Sequence, residues 1–564
     1  MILSQSQIRN VIIDNPNKDL VSRGVEYNKK LRLHMYGDGL EKGTEMIDGY
    51  EKRELRDLRA KYCRSNKDLF ARLSRPIDKV FSARGGSIYY NLSKEQDKKA
   101  RELSQNVRNG YSIRKWLEMF WKPHMLDDPF GIVFMEILPI QEAITAKRKG
   151  QSFVYPTYKS ITSIYDYSPK GSNLDYVVFK LTKEDKSAAG LDDNDEIFRV
   201  VDDAFDYYVK KVDDSIQILP AFTIVNFFGE VPAILNSDIN DPEVEGSVLS
   251  FFDPAIELAK DFLLKGSIKI THDFLHGFPK YWEYADSCTK CKGTGLYQGA
   301  DCEDCRGTGK NLMRKVSDAK LLEYPATKED PVVTPNVAGY VSPDKTFYEI
   351  ATADIQLLED LMTVTLWGTH SKIQNQGMQT DANGDAKTAT EVMDEIKPQS
   401  DRLTTLSEMA EKRHKFILDA NIRLQVSPGY GGASVNYGRR YMLEGPDAIW
   451  EKYSDARLKG VAISALDDLL TEYYETKFSS DPVKLAIQLK LMKVEPFVHY
   501  KIGEVMGFRP DPADYKAKLY FGEWLSVQSE ALILSTDVAL LRESLNTYSA
   551  SKKIIEDEPK PIAA

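Results

Sequence analysis

The chain has 564 residues, a formal net charge of −10 and an ordinary globular mixture of 42% hydrophobic and 28% charged residues. Such a length predicts several domains with ample core. The acidic balance argues against a protein that grips nucleic acid over a broad basic surface, though not against one past which DNA slides.

The amino terminus, Met-Ile-Leu-Ser-Gln-Ser-Gln-Ile-Arg-Asn, lacks the charged and apolar regions of a secretory signal. No apolar run approaches the roughly eighteen residues of a membrane span, so a cytosolic product without a membrane partner is expected. Residues 1 to about 125 are mostly helical in pattern, with Leu55, Leu58, Tyr62 and Leu69 at the apolar positions of a charged stretch. Arg75-Pro76 and Arg84-Gly85-Gly86 punctuate it, and Trp116, Phe120 and Trp121 are expected as core anchors. From Pro129 to Ile239 short β-like runs take over: Gly131 to Leu138, Asp175 to Leu181, Phe198 to Val201, Tyr207 to Val212 and Phe222 to Phe228. Turns such as Pro169-Lys-Gly171 separate them, which predicts an antiparallel sheet.

A long helix is expected from Asp253-Pro254, an N-cap carboxylate with proline at N1, carrying Ile256, Ala259, Leu263, Ile270 and Phe274 until Gly277-Phe278-Pro279 stops it. A second runs from Ile350 to Trp367 with Ile355, Leu358, Met362 and Leu366 on one face, and Gly368 is placed to end it. At about 1.5 Å per residue each spans roughly 30 Å. After the polar, aperiodic loop that follows, Thr388-Ala-Thr-Glu391 reads as a capping box for a third long helix, with Val392, Ile396, Leu403, Leu406, Ala410 and Ile417 apolar and a kink expected at Pro398. Beyond Arg423, β-like segments (Arg423 to Val426, Tyr437 to Leu443) lead to helices starting near Pro446, Asp481-Pro482 and Asp514. The last dozen residues have the composition of a disordered tail.

The sharpest chemical signal lies between the first two long helices. Cys288-Thr-Lys-Cys291 and Cys302-Glu-Asp-Cys305 form two C-x-x-C knuckles, whose two-residue gaps let both sulfurs of each turn face one ion. Each is followed by a basic residue and a Gly-Thr-Gly triplet, Lys292-Gly293-Thr294-Gly295 and Arg306-Gly307-Thr308-Gly309. The glycines suit a turn with positive φ, and the basic residues can offset the charge of a zinc tetrathiolate. Four cysteines fill the coordination of zinc, so one structural ion per subunit is expected and no catalytic water. His272-Asp-Phe-Leu-His276 invites a zinc-hydrolase reading, but aspartate stands where glutamate is required, Gly277 ends the helix and no third ligand follows; both histidines are expected on the solvent side. Gly37-Asp-Gly39 and Gly429-Tyr-Gly-Gly432 lack the Lys-Ser/Thr of a phosphate loop, and Cys63 stands alone.

The paired C-x-x-C-x-G-x-G resembles the cysteine-rich region of J-domain chaperones, with two repeats rather than four, which makes a zinc-containing chaperone-like or interaction protein the competing class. The order of parts as a whole, with Phe228-Gly-Glu-Val-Pro232 and Thr388-Ala-Thr-Glu391, resembles the portal (head-to-tail connector) proteins of tailed bacteriophages. That resemblance implies an α+β subunit: a mixed α/β wing (1–246), stem helices (247–284 and 346–371), a zinc-binding clip (285–345), a channel loop (372–387), a long kinked wing helix with strands (388–445) and a helical crown (446–564). The knuckles depart from it, since zinc is not a general feature of portal clips. It further implies a non-enzymatic ring, usually of twelve subunits, at one capsid vertex of the virion, assembled in the host cytoplasm. Its partners would be the major capsid protein, the packaging terminase, a head-to-tail adaptor and double-stranded DNA. Gln374, Gln376, Gly377, Gln379, Asn383, Gly384 and Lys387 would then belong to the loop that touches DNA.

Overall fold

The computed structural model describes residues 1–38, 57, 65–149, 152–276, 280–284, 287–310, 320–322, 338–341, 345–369, 389–428, 430, 432–441, 446–478 and 481–552. They divide into two compact units, Met1–Tyr441 and Met442–Ala564.

The first unit opens with α1 (Gln5–Ile13), α2 (Lys18–Tyr36), α3 (Lys67–Ser74), β1 (Arg84–Tyr89) and α4 (Lys94–Gln105). Ser4 and Gln7 close a capping box on α1, and Gly37 ends α2 in the left-handed region with its N–H on the Leu33 carbonyl. The helix Ile113–Trp116 passes through a π turn, Leu117–Trp121, into Lys122–Asp127. That wider turn corrects the expectation for the aromatic trio. It brings residues five apart onto one side, so Trp116 and Trp121 are buried at 2% and 1% exposure while Phe120, stacked on Trp116, is 39% exposed.

A nine-stranded antiparallel sheet follows, built from β2 (Ile132–Ile137), β3 (Val154–Lys159), β4 (Ile164–Lys170), β5 (Asn173–Lys180), β6 (Glu196–Val201), β7 (Phe205–Val212), β8 (Ser215–Ile218), β9 (Ile224–Val225) and β10 (Ala233–Leu235). Its order is β3-β2-β10-β5-β6-β7-β8, with β4 also on β5 and β9 on β7. The pleat sends alternate residues to opposite faces. Val177 and Val201 therefore join Ile132, Phe134 and Tyr167 in one cluster, while Val178 and Val200 meet Ile8, Val11 and Ile12 of α1 in another.

Next come α5 (Ile256–His276), β11 (Lys280–Tyr284), β12 (Leu296–Tyr297), β13 (Ala300–Asp301), β14 (Lys320–Leu322), β15 (Ala338–Val341), α6 (Lys345–Trp367), α7 (Ala389–Gln425) and β16 (Ser434–Arg440). α5 is preceded by a 3-10 turn, and the Asp253 carboxylate accepts the Tyr27 hydroxyl at 2.5 Å instead of capping amides as expected. α6 starts five residues before Ile350, and Gly368 ends it at φ +69° with its N–H 2.7 Å from the Val364 carbonyl. α5 and α6 run antiparallel: Phe251 meets Trp367 at 4.9 Å, Lys265 pairs with Asp354 at 2.7 Å, and the Lys269 ammonium sits 4.1 Å over the Tyr348 ring.

The root of this pair is buried. Phe252, Ile256, Ala259, Phe262, Met362, Leu366 and Trp367 belong to the main core, and the Trp367 indole donates to the Leu73 carbonyl at 3.0 Å. α7 continues through Pro398 and crosses the same core with Leu403, Leu406, Ala410 and Ile417. Inside it, fully buried Arg413 donates to the Leu235 carbonyl at 2.7 Å and to Asp238 at 2.9 Å. Arg423 to Gln425, expected as strand, completes this helix; Thr388 of the expected capping box lies outside the described residues. β16 pairs antiparallel with β1, and a Cβ on Gly86 would lie 2.6 Å from the Asn436 carbonyl oxygen, so glycine is required there.

The second unit is helical: α8 (Pro446–Leu458), α9 (Ile463–Lys477), α10 (Pro482–Val494), α11 (Pro512–Ser526), α12 (Glu530–Ser535) and α13 (Val538–Ala550). Asp481 caps α10 through the Lys484 amide at 3.0 Å, and Leu491, Phe521, Trp524, Leu541 and Leu545 form its larger core. The tail expected to be disordered lies outside the described residues from 553 onward, as do Leu55, Leu58, Tyr62 and Cys63. Among the described residues no helix is long and apolar enough to cross a membrane.

Candidate metal centre

Between the far ends of α5 and α6 the backbone first forms a small sheet, β14-β11-β15, in which β11 is antiparallel to β15 and parallel to β14. Sequence reading did not anticipate these strands. From this base the chain enters the cysteine module, closed where Ser287 bridges Lys310.

The two knuckles exchange equivalent contacts. The Cys288 amide donates to the Gly309 carbonyl and the Cys302 amide to the Gly295 carbonyl, both at 2.9 Å. Within each turn the threonine repeats the pattern, with Thr294 N–H on Cys291 O and Thr308 N–H on Cys305 O, both at 3.1 Å. Their hydroxyls donate to the same carbonyls at 2.7 and 2.6 Å. Between the knuckles, Gln298 (φ 55°) and Gly299 (φ 84°) make the tight turn of the β12–β13 hairpin.

Each turn requires positive φ at more positions than the glycines supply, since Lys292 (53°) and Arg306 (50°) adopt it along with Gly293, Gly295, Gly307 and Gly309. Two glycines are also irreplaceable for space. A Cβ on Gly295 would lie 2.4 Å from Gly307 O, and one on Gly309 2.4 Å from Gly293 O. The two triplets thus pack backbone to backbone, which is what brings the cysteines into one cluster.

All four sulfurs lie within 4.8 Å of one another. Cys288 and Cys302 are 3.9 Å apart, Cys291 and Cys305 3.6 Å. A tetrahedral zinc site with Zn–S near 2.3 Å has sulfurs separated by about 3.8 Å, so the set fits such an ion with little movement. The four thiols are buried, and from Ser287 to Lys310 the only other buried residues are Gly295 and Gly309. Leu296 and Tyr297 are 55% and 42% exposed, so the module has no hydrocarbon core. In the close Cys291–Cys305 pair, burial pushes Cys305 up to about 11. Burial opposes the Cys291 thiolate too, but the Gly295 amide and neighbouring thiols outweigh it and lower that thiol to about 7. Binding a cation would favour the thiolate form at all four cysteines. Lys290 ties the knuckles together from outside, 3.2 Å from Asp304 and 3.6 Å from Glu303.

The other sequence candidates separate from this site. His272 is 19% exposed and so more covered than expected, the side chain of His276 lies outside the described residues, and no second metal-ligand cluster occurs among those described. Gln374, Gln376, Gly377, Gln379, Asn383, Gly384 and Lys387 all lie outside the described residues. Sequence reading also missed a cavity where Arg114, His414 and Tyr437 meet. Hundreds of residues separate its walls in the chain, so no local spacing signals it. No family model matches the chain, and a search of curated proteins finds no match either.

Proposed function

We propose that the chain is the repeating subunit of a portal-like ring that conducts double-stranded DNA at a capsid vertex, with one structural zinc ion held by Cys288, Cys291, Cys302 and Cys305. The observation that carries this reading is the helical arm formed by α5 and α6. Its root is deep in the core, its far end bears the metal module, and its outer side is apolar: Ile350, Leu357 and Leu361 are 58%, 57% and 42% exposed. Spaced by seven and four, these three lie along one side of α6, roughly 110° around the helix from the buried stripe of Ile355, Leu358 and Met362. An apolar row on a two-helix arm is what a neighbouring copy in a ring would cover. In this reading the metal module offers a docking surface to the packaging motor and the tail adaptor, and no bond is made or broken by the chain itself.

Negative-stain images and mass measurement of the full-length protein test the ring. Closed rings of many subunits are expected, and Leu357→Asp together with Leu361→Asp should shift the population toward monomer. A wild-type chain that stays monomeric or dimeric at micromolar concentration overturns the reading. It would favour instead a zinc-containing interaction protein, for which the reciprocal contacts of the two knuckles speak. Deleting residues 377–384 should leave rings intact and reduce the DNA packaged.

A further inference from the structure

We propose that the four-cysteine module is a redox switch: a peroxide converts its sulfurs into two disulfides, Cys291–Cys305 and Cys288–Cys302, which hold the module closed after the metal has left. The inference rests on the metal site of the preceding reading and not on the ring.

The pairing follows from the geometry. The Cys291–Cys305 contact at 3.6 Å and the Cys288–Cys302 contact at 3.9 Å both cross from one knuckle to the other, and together they use each sulfur once. Bond formation shortens each contact to about 2 Å along a line on which the knuckles already face each other. The Cys288 amide on the Gly309 carbonyl and the Cys302 amide on the Gly295 carbonyl hold the two turns in that register. Both bonds therefore close on the existing shape, whereas bonds within a knuckle, Cys288–Cys291 and Cys302–Cys305, leave the two halves unjoined.

The members of each pair also differ in exposure. Cys288 and Cys291 retain 4% and 5% of their surface, while Cys302 and Cys305 retain none. Their cover is thin: apart from Gly295 and Gly309, every other residue from Ser287 to Lys310 is exposed or half-buried, so the sulfurs lie beneath a single layer of turn residues. The first knuckle is thus the one a small oxidant meets first, and the second supplies the resolving thiols.

The chemistry balances with a peroxide as the oxidant. A first-knuckle thiolate attacks one peroxide oxygen, the O–O bond breaks, hydroxide leaves and a sulfenic acid forms. The facing second-knuckle thiolate then attacks that sulfur, the S–O bond breaks, and a second hydroxide leaves as the disulfide forms. Two electrons pass from each sulfur pair to one peroxide, so two peroxides oxidise the whole site. Disulfide sulfurs lack the negative charge that binds a cation, and the metal departs as a hydrated ion. The new bonds take over its task of tying the turns together. A module that is metal-bound in a reducing compartment and disulfide-bound in an oxidising one keeps the same outer surface in both.

Titration of the full chain, purified under reducing conditions, with hydrogen peroxide tests the switch by zinc release to a colorimetric chelator, peptide mapping without reduction, and hydrogen exchange. Nearly all the zinc should be lost, the mapped links should be Cys291–Cys305 and Cys288–Cys302, and dithiothreitol with added zinc should reverse both changes. Amide protection at Thr294 and Thr308 in the oxidised, metal-free chain should stay within about tenfold of the zinc-bound protein, whereas chelation under reducing conditions abolishes it. Cys305→Ser should accumulate a sulfenic acid at Cys291 that dimedone traps, and Cys291→Ser should show far less at Cys305. Should the variants leave the module unfolded, the wild-type linkage map still decides. Links within a knuckle, sulfinic or sulfonic acids in place of disulfides, zinc retained through the titration, or an oxidised module that exchanges as fast as the chelated one would overturn the proposal. A freshly purified chain without zinc would defeat the metal reading by itself, and its linkage map after oxidation would still decide this one.

Discussion

Trp116, Trp121 and Trp367 are each at most 2% exposed and sit among dozens of aliphatic and aromatic neighbours, whereas from Ser287 to Lys310 the only buried side chains of any size are four thiols. The body gains its stability from apolar area removed from water, a term that grows with every packed methylene. The cysteine module has almost no such area. Backbone contacts between its glycine triplets set the shape, and in the proposed reading a bound cation supplies the free energy that hydrocarbon supplies elsewhere. The two regions should therefore fail under different insults.

Metal removal should produce the widest separation between them. Structural zinc contributes on the order of 10 kcal/mol to small tetrathiolate folds, so chelation or Cys291→Ser should abolish amide protection at Cys288, Thr294, Cys302 and Thr308 in hydrogen exchange. Amides of β5 and β6 should stay protected, and a module that survives chelation would erase the contrast. Conversely, Trp367→Ala empties the socket at the root of the arm and should cost about 3–5 kcal/mol in denaturant unfolding, with zinc content near one per chain unchanged.

Acid sharpens the comparison further, because the body hides neutral imidazoles. Burial pushes His34 down to about 4, with Lys30 and Lys260 adding, and His414 down to about 3. In the unfolded chain both titrate near 6.5, so the native state binds fewer protons below that pH. The stability is complete above pH 6.5 and falls toward pH 4 by up to about 1.4 kcal/mol per pH unit for each histidine. Urea midpoints of a His34→Gln, His414→Gln double variant should show a shallower decline over that window than wild type. At the small end, Lys265→Ala removes a half-exposed pair between α5 and α6 and should cost less than about 1 kcal/mol, which a thermal melt would register as a shift of a few degrees at most.

What could be read from the sequence followed how locally each feature is encoded. All four cysteines and the Gly-Thr-Gly triplets were legible, because a metal turn needs its ligands two residues apart. The stripes of α5 and α6 were legible from Ile256, Ala259, Ile355 and Met362 for the same reason. The strand β3 was hidden by Pro156, which a central strand would exclude but which is tolerated at the sheet edge that β3 occupies. β1 looked like punctuation because Gly85 and Gly86 are there for β16, some 350 residues downstream. Phe120 failed because a π turn changes the period on which the expectation rested. The walls of the cavity beside Tyr437, Arg114 on one helix and His414 on another, could be joined only by the fold.

The antiparallel seating of α5 and α6 also has a mechanical consequence. Among the described residues, the core contacts of both helices gather toward one end, where Trp367 is pinned between the Leu73 carbonyl and the Phe251 ring. With 23 residues α6 is about 35 Å long, so the cysteine module sits at the tip of a lever whose fulcrum is that aromatic socket. A sideways load on the tip reaches the body as torque about Trp367, and α7, packed against the same socket through the contact of Pro398 with Gly368, is the first element to feel it. A Cβ at position 368 would lie 2.6 Å from that of Pro398, so only glycine lets the two elements approach this closely at the base of the lever.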